Sequence, residues 1–338
     1  MADELRIGLI GAGRIGALHT RLLTTRVSGA RVVGVSDINA DAAQAVAREN
    51  GVEIVERDAA ALIGRDELDA VLICSATHVH EEQVCSAAEA GKHIFCEKPL
   101  AFERAAIDRM EAAVRKNGVL LQVGFNRRFD SVFARVRAGI EAGEVGKLHT
   151  LRVISRDPEP PPIEYVRNSG GLFVDMTIHD FDMVRFLSGS EVEEVYTMAD
   201  CKVDPKIGEA GDVDTAVIML RFANGVIATI ENSRQAVYGY DQRVEAFGSG
   251  GSISTDNVYP NTATIATAQA VQRDLPLRFF LERYTESYVN ELNSFVAAVR
   301  GGEATPVGIQ DGRAPVILGE AALRSHREQR PVKISELG

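Results

Sequence analysis

Short apolar runs alternate with amphipathic stretches through the first third of the chain. Residues 7–10 form an apolar run with the length and character of a buried parallel strand. The glycine-rich stretch 11–16 follows at once, and Ile15, Leu18 and Leu22 then recur at helical spacing. Strands that alternate with helices in this way predict a doubly wound parallel sheet. Further strands are predicted at residues 31–36, 52–55, 69–75, 92–96 and 119–123, and further helices at 40–50, 81–90 and 103–117.

Beyond about Val123 the predicted strands become longer, and apolar and polar residues alternate along them. Ala223-Asn224-Gly225 between two such strands is a hairpin signal, and residues 248–251 indicate another turn. We therefore expect an α/β domain over residues 1–123 and an α+β domain with a largely antiparallel sheet over 124–338. Its strands are predicted at 149–155, 192–201, 214–222, 226–233 and 243–247, and its closing helices at about 287–300 and 314–327.

One strand of the second domain places apolar side chains on both of its faces. Its apolar residues are Val226, Ile227, Ala228 and Ile230. Because helices cover only one face of the sheet in such a layer, we expect the other face to meet a second subunit.

Composition narrows the class of protein. A chain of 338 residues is too long for one core, and 45% hydrophobic and 25% charged residues are ordinary for a globular protein. The net charge of −11 disfavours nucleic acid and anionic membranes as partners. The acidic start from Met1 to Glu4 predicts no signal peptide, and Cys74, Cys85, Cys96 and Cys201 show no C-x-x-C spacing. We expect a cytoplasmic protein without disulfides or a metal site.

The glycines fit the spacing G-x-G-x-x-G between a strand and a helix. Gly11 permits the tight turn, Gly13 lets the backbone approach a pyrophosphate, and Gly16 allows close helix–strand packing. Asp37 ends the second strand, where it can accept hydrogen bonds from the adenosine ribose and repel a 2′-phosphate. The sequence therefore predicts a dinucleotide site for NAD, with Arg14 and Ile15 among its contacts.

Other polar residues follow the ends of the parallel strands. Thr77, His80, Lys98 and Asn126 all come just beyond such an end, where ligands bind in these sheets. Lys98 stands in the tripeptide Glu97-Lys98-Pro99. It is either a surface lysine in a loop or, beside the cofactor, a group that polarises a substrate hydroxyl. The second interpretation is favoured.

The stretch 170–182 carries the second candidate motif. Read as one helix over about residues 172–188, it places Asp175, His179 and Asp182 on a stripe ~60° wide, with apolar residues over most of the remaining circumference. Two carboxylates beside one histidine are unfavourable in a dry core, so the stripe is expected to face a polar cavity. Asp175 and His179 fit an orienting carboxylate and a general base. Metal ligation by the three residues is the alternative, although no further His or Cys clusters nearby.

The combined motifs resemble the Gfo/Idh/MocA family of NAD(P)-dependent oxidoreductases over nearly the whole chain. The resemblance rests on the glycine loop, on Ala90-Gly91-Lys92-His93 leading to Glu97-Lys98-Pro99, on Gly170-Gly171 with Asp175 and His179, and on Gly301, Pro306 and Asp311-Gly312. Within that family the chain is most similar to the inositol 2-dehydrogenases, through residues 122–130, 155–158 and 238–241. The resemblance implies a Rossmann domain, a second domain with a large open sheet, and a homotetramer.

The same resemblance implies oxidation of the 2-hydroxyl of myo-inositol to the 2-keto product with NAD. It assigns catalysis to Lys98, Asp175 and His179, and cofactor contacts to the glycine loop, Asp37, Thr77, His80, Glu97 and Lys98. The expected polyol contacts are Asn126, Arg127, Asp157, Asp175, His179, Tyr238 and Tyr240, with Asp182 as a further candidate. Some inositol dehydrogenases carry a His near the position of Ser155, which this chain lacks. A dehydrogenase for scyllo-inositol or an aldose, and a non-catalytic NAD-sensing regulator, stay open as alternatives.

Overall fold

The computed structural model describes residues 4–338, so Met1, Ala2 and Asp3, from which no signal peptide was predicted, lie outside the described part of the chain. The chain divides into two units. The first contains residues 4–129 and 286–316, and the second contains 130–285 and 317–338. Each unit is built around a sheet of its own.

The first unit contains the predicted parallel sheet, with the strand order β3-β2-β1-β4-β5-β6. All of its strand pairs are parallel. The central strands β1 and β4 are almost wholly buried, because they pack on both faces as the uninterrupted apolar runs predict. The strands are β1 (Leu5–Ile10), β2 (Ala30–Ser36), β3 (Ile54–Glu56), β4 (Ala70–Ile73), β5 (His93–Glu97) and β6 (Leu121–Gly124).

Local signals set the ends of the helices in this unit. Asn39 caps α2 by accepting from the N–H groups of Asp41 and Ala42, and Gly51 ends the helix at a φ of 68°. Asp58 caps α3 in the same way through Ala60. The helices are α1 (Arg14–Thr25), α2 (Ala40–Asn50), α3 (Ala59–Ile63), α4 (His80–Glu89) and α5 (Arg104–Asn117), and Thr77–Val79 and Asn126–Phe129 form 3₁₀ turns.

The second unit contains a seven-stranded sheet with the order β12-β11-β7-β10-β9-β8-β15. Its pairs are antiparallel except for β7 with β10, so the predicted mostly antiparallel sheet is confirmed. The predicted hairpin joins β9 to β10, and Gly225 takes a φ of 86° in its turn. The strands are β7 (Leu148–Arg156), β8 (Val192–Asp200), β9 (Thr215–Phe222), β10 (Ile227–Ser233), β11 (Asp241–Gly248), β12 (Gly251–Ser254) and β15 (Val332–Lys333), and β13 (Thr264–Ala266) and β14 (Val271–Arg273) form a separate exposed hairpin.

The helices of the second unit include the predicted motif helix, which the structure divides in two. Met176 and Thr177 separate α8 (Gly171–Asp175) from α9 (Ile178–Ser188), so the prediction of one helix over 172–188 was wrong. The Leu172 carbonyl accepts from the N–H groups of Met176 and Thr177 and from the Thr177 hydroxyl, which draws the backbone out of regular helix. The other helices are α6 (Ser131–Glu141), α7 (Ile163–Asn168), α10 (Pro205–Glu209), α11 (Phe280–Arg283) and the C-terminal part of α13 (Ile309–Glu328).

Residues 286–316 return to the first unit, whereas the sequence pattern places everything beyond Val123 in the second domain. The helix α12 (Thr285–Gly301) supplies the reason. Its Tyr288 and Phe295 rings make edge contacts with His19 and Phe95, and the Glu291 carbonyl accepts from the Gln122 side chain. These contacts join residues far apart in the chain, which a local pattern does not reveal.

No helix within residues 4–338 is long and apolar enough to cross a membrane. The four cysteines are free thiols, and burial raises the pKa of the Cys74 and Cys96 thiols well above its usual value.

Candidate active site

The glycine loop of the first unit has the geometry that its spacing predicts. A methyl group at Gly11, where φ is 96°, would lie 2.6 Å from the Cys74 carbonyl carbon, and one at Gly16 would collide with the Gly11 carbonyl oxygen. Gly13 is different: it is exposed, and a methyl group there would meet no protein atom within 4 Å. The loop therefore packs tightly on the sheet and leaves Gly13 open to a ligand.

The start of α1 can receive an anion. Gly13 precedes the helix, the first turn contains no acidic residue, and none of the described side chains caps it. The N–H groups of that turn and the helix dipole are thus available to a pyrophosphate. Arg14 is exposed and Ile15 half-buried beside this opening. These features fit a dinucleotide.

Asp37 follows β2 and braces the loop. Its Oδ2 accepts from the Ala12 N–H at 2.6 Å, and its Oδ1 accepts from the Asn39 N–H at 2.7 Å. The carboxylate is half-buried next to the exposed Ile38. It is therefore fixed at the strand end where a ribose would lie, as the sequence predicts for an NAD site.

Lys98 follows β5 on a loop held by two buried residues. Glu97 Oε1 lies 2.7 Å from His19 Nε2, and its Oε2 accepts from the Lys98 N–H at 3.3 Å. A methyl group at Gly124 would lie 2.9 Å from Glu97 Oε2, so a larger residue there would displace the Glu97 carboxylate. The Lys98 side chain is half-buried. The sequence analysis missed His19, whose only signal is one polar residue on the buried face of α1.

The remaining candidates of the first unit also lie at the carboxyl edge of its sheet. Thr77 is half-buried in a 3₁₀ turn beyond β4, and Asn126 and Arg127 are buried beyond β6. The His80 ring is buried: its Nδ1 lies 2.9 Å from the Pro99 carbonyl oxygen, and its Nε2 lies 3.1 Å from that of Ser75. Burial lowers the pKa of His80. These contacts favour a role for His80 in holding the loop of Lys98 over direct contact with a cofactor.

In the second unit Asp175 sits in a cluster of polar side chains from distant parts of the chain. Its Oδ1 accepts from the Tyr165 hydroxyl at 2.8 Å and its Oδ2 from Arg234 Nη1 at 3.1 Å. The Arg234 side chain is 1% exposed and also lies 3.8 Å from Asp212 Oδ2. His179 is half-buried in the first turn of α9. The sequence analysis missed Tyr165, Asp212 and Arg234, because no motif connects them with Asp175.

The end of β10 holds the break between α8 and α9. Asn232 accepts from the Thr177 hydroxyl at 2.6 Å and donates to Asp180 Oδ2 at 2.7 Å. Asp180 and Asp182 are both fully buried. Asp182 thus does not share an open stripe with Asp175 and His179, because it is buried whereas they are half-buried, and the helix break separates Asp175 from the other two.

The other predicted polyol contacts of this unit flank the segment after β10. Asp157 pairs through its backbone with Ser233 and Ala236. Tyr238 is exposed and donates to Asp241 Oδ2 at 2.6 Å, and burial together with this hydrogen bond raises the pKa of its phenol. Tyr240 is instead buried, and its ring packs edge-on against Phe279 and Tyr284. Tyr238 is the more accessible of the two tyrosines.

Among the described residues, no group of three or more His, Cys, Asp or Glu side chains could hold a metal ion.

Comparison with known families decides the classification. Residues 5–125 match the oxidoreductase family with an NAD-binding Rossmann fold, and residues 133–254 match the GFO/IDH/MocA C-terminal domain. The chain belongs to the GFO/IDH/MocA family of oxidoreductases. This GFO/IDH/MocA protein is 48% identical over 333 residues to a myo-inositol 2-dehydrogenase of Thermotoga maritima, covering 98% of this chain and 99% of that protein.

Two further relatives extend the likeness. An inositol 2-dehydrogenase of Rhizobium meliloti is 43% identical, over 98% of this chain and 99% of its own. A crystal structure of a myo-inositol dehydrogenase from Lactobacillus casei in complex with NAD(H) and myo-inositol superposes with a TM-score of 0.87 at 25% identity, covering 98% of this chain and 96% of that one. The GFO/IDH/MocA fold therefore extends over both units of this chain.

Proposed function

We propose that this protein is an NAD-dependent inositol 2-dehydrogenase that oxidises myo-inositol to 2-keto-myo-inositol. The observation that carries the proposal is the near full-length similarity to proteins described as inositol 2-dehydrogenases and to a myo-inositol dehydrogenase solved with NAD(H) and myo-inositol. The glycine loop, the open start of α1 and the braced Asp37 give the dinucleotide half of that activity an independent physical basis.

The first unit holds the cofactor through Gly11, Gly13, Gly16 and Asp37, with contacts from Arg14, Ile15, Thr77 and Glu97. NAD held there would supply the acceptor for the hydride of the oxidised carbon. The protein has to remove the hydroxyl proton and stabilise the negative charge that develops on the oxygen bonded to that carbon.

Three residues carry the proton chemistry in this proposal. His179 removes the hydroxyl proton as general base, and Asp175 orients the imidazole and stabilises its charged form. Lys98 lowers the cost of alkoxide character on the substrate oxygen. Asn126, Arg127, Asp157 and Tyr238 contact the other hydroxyls of the ring, whereas Tyr240 is left out of this set because it is buried.

The experiment is a panel of polyols assayed with NAD by NADH absorbance. We expect the highest kcat/KM with myo-inositol and lower values with scyllo-inositol and with glucose. A higher kcat/KM with scyllo-inositol or with glucose would show that myo-inositol is not the preferred substrate. Tight NAD binding without turnover of any polyol would instead support the regulator that senses NAD.

We also propose a homotetramer that assembles through the open face of the seven-stranded sheet. Alternate residues of β9 are buried, whereas Val217 and Met219 on the other face are 47% and 48% exposed. Other strands of the sheet add Met198, Ile227 and Phe247 to the same face, each at least 45% exposed. Of the four residues in the strand that suggested an interface, only Ile227 lies on this face, because Val226, Ala228 and Ile230 are buried.

Light scattering at micromolar concentration tests the assembly. We expect a tetramer that Met219→Glu dissociates, because a carboxylate in a buried apolar interface is unfavourable. Phe102→Glu, which changes an exposed apolar residue of the first unit, is the control and should leave the mass unchanged. A stable wild-type monomer would refute the proposal.

We also propose a cytoplasmic location, which agrees with the four free thiols.

A further inference from the structure

The buried guanidinium of Arg234 connects the two ends of the short helix α8. Its Nη1 donates to Oδ2 of Asp175, the last residue of that helix, at 3.1 Å. Its Nη2 lies 3.8 Å from Oδ2 of Asp212. Both Asp212 oxygens lie 3.0 Å from the N–H of Leu172, which donates to them at the start of the helix. One arginine side chain thus links the start of α8 with Asp175.

The same strand end holds the other side of the helix break. Asn232, two residues before Arg234, binds the Thr177 hydroxyl and the Asp180 carboxylate. The segment 175–180, with His179 inside it, is therefore fixed from both sides by residues at the exit of β10. A displacement of about 1 Å in such a segment can cost ~10²-fold in rate.

The cluster also has a defined charge. Arg234, Asp175 and Asp212 have side chains that are 1%, 13% and 13% exposed, so solvent screens them little. One cation against two carboxylates leaves one net negative charge. Asp175 precedes His179 by four residues and, as the orienting carboxylate of the proposed function, brings this negative charge to the imidazole. A negative charge favours the protonated form of an imidazole, which a general base must reach during the reaction.

We propose that Arg234 is a positioning residue that acts on His179 through Asp175 and Asp212. It holds α8 in place and reduces the negative charge of the two carboxylates that act on the imidazole. The inference rests on the proposed function in taking His179 as the base and Asp175 as the carboxylate that orients it.

Two variants change the charge of the cluster in opposite directions. Arg234→Met removes the cation, so the imidazole should stay protonated to higher pH and the acidic limb of kcat/KM should move to higher pH. Asp212→Asn removes a carboxylate and keeps an oxygen for the Leu172 N–H, so the limb should move to lower pH. A residue that only supports the fold would not produce shifts of opposite sign.

A third variant separates charge from geometry. Arg234→Lys keeps the positive charge, but one ammonium group cannot span both carboxylates as the planar guanidinium does. We expect the pH profile to return to its wild-type position while kcat stays about 10-fold to 10²-fold lower. Affinity for NAD should be unchanged in all three variants, because their side chains belong to the second unit.

The other titratable or charged groups of this corner stay constant across the set. They are Tyr165 on α7, Asp175 on α8, and Asp180 and Asp182 on α9. Arg185→Met is the matched control, since it removes an arginine of the same helix α9 that pairs with Glu191 at 2.8 Å. It should leave the pH profile unchanged.

An activity-independent measurement distinguishes failure of this inference from failure of the proposed function. The His179 ring is titrated by NMR, its signal assigned by comparison with His179→Gln, and its midpoint should rise in Arg234→Met and fall in Asp212→Asn whichever polyol is turned over. If Arg234→Met does not fold, Asp212→Asn and Arg234→Lys carry the test. A wild-type His179 midpoint in folded Asp212→Asn, or wild-type kcat in folded Arg234→Lys, would overturn the proposal.

Discussion

The glycine loop of the first unit and the Asp175 corner of the second solve the same problem, which is to fix a ligand-binding surface, by different means. In the loop the backbone itself is the device: Gly11 and Gly16 are required because a methyl group would strike neighbouring backbone atoms. In the corner the device is a set of side chains, in which Arg234 reaches Asp175 from 59 residues away and Asn232 reaches Thr177 from 55 residues away.

The difference determines how each region responds to substitution. A backbone loop without space for a Cβ tolerates no larger residue, so its failures are steric and rescue by a similar residue is impossible. A corner built from hydrogen bonds and charges can be altered one contact at a time. Its failures should therefore be graded and dependent on pH.

The largest expected effect comes from removing the predicted base of the corner. His179→Ala should lower kcat for polyol oxidation by ~10²–10⁴-fold, the usual range for a positioned proton acceptor. NAD affinity should change little, because the glycine loop belongs to the other unit. The measurement is NADH formation at saturating myo-inositol, together with NAD binding by isothermal titration calorimetry. Near-wild-type turnover would make His179 a structural residue and remove the functional side of the contrast.

The glycine loop gives the next largest effect, through a matched pair of substitutions. Gly16→Ala should destabilise the fold by about 1–3 kcal/mol, because its Cβ collides with the Gly11 carbonyl. Gly13→Ala should leave the melting temperature unchanged, since its Cβ meets no protein atom, yet weaken NAD binding by about 10-fold to 100-fold because it occupies the space for the pyrophosphate. Scanning calorimetry measures the stability of both variants, and titration calorimetry measures their affinity for NAD. Equal effects on stability would contradict the steric account.

The same contrast explains how much of the fold the sequence predicts. The six parallel strands follow from apolar runs and the hairpin from Asn224-Gly225, because these are local signals. The return of α12 to the first unit was not predicted, since it depends on the Tyr288 ring meeting His19. The exposed strands β13 and β14 were not predicted, because without a buried face they show no regular alternation of apolar and polar residues.

The candidate site also contains residues that local signals predict and residues that depend on contacts between distant parts of the chain. Gly11, Asp37 and Lys98 were predicted as site residues because each stands at a fixed distance from a strand end. Asp175 and His179 were predicted from their spacing, but the spacing was read on one unbroken helix, and the helix is broken at Thr177. Arg234 and Asp212 could not be found, because an isolated arginine and aspartate in a sequence carry no sign of which carboxylate or backbone N–H they will meet.

A smaller effect concerns Asp37, the position at which a side chain, and not the backbone alone, holds the glycine loop of the first unit. Asp37→Ala should narrow the preference for NAD over NADP by about tenfold, or ~1.4 kcal/mol, as the repulsion of a 2′-phosphate is lost. It should also weaken the binding of both cofactors, because the Ala12 N–H loses its acceptor. Asp37→Asn keeps an acceptor oxygen, so it should narrow the preference for NAD without weakening the binding of either cofactor. The ratio of kcat/KM with the two cofactors measures this, and a wild-type enzyme that uses both equally would contradict it.

The last expected effect is on stability alone and concerns Asp214, a buried residue of the second unit. Its carboxylate accepts from the N–H groups of Lys202, Val203 and Asp204 and from the Thr215 hydroxyl. Burial raises the pKa of Asp214, but these hydrogen bonds outweigh it and hold the pKa below the ordinary value of 3.8. Asp214→Asn should lower the free energy of unfolding by about 1–3 kcal/mol at neutral pH, because an amide cannot accept from all these donors.

The pH dependence of that loss follows from the direction of the pKa shift. A carboxyl that binds protons less readily in the folded state stabilises the protein at every pH above its unfolded value of 3.8. The stabilisation is lost as the pH falls through the lower, folded value. Urea unfolding should therefore show a constant difference between wild type and Asp214→Asn at pH 5–7 that shrinks below about pH 4. Asp204→Asn, at an exposed helix cap with one acceptor bond, is the control and should cost less at neutral pH. A difference that persists unchanged in acid would show that Asp214 acts through shape, and would weaken the view that charged side chains fix this unit.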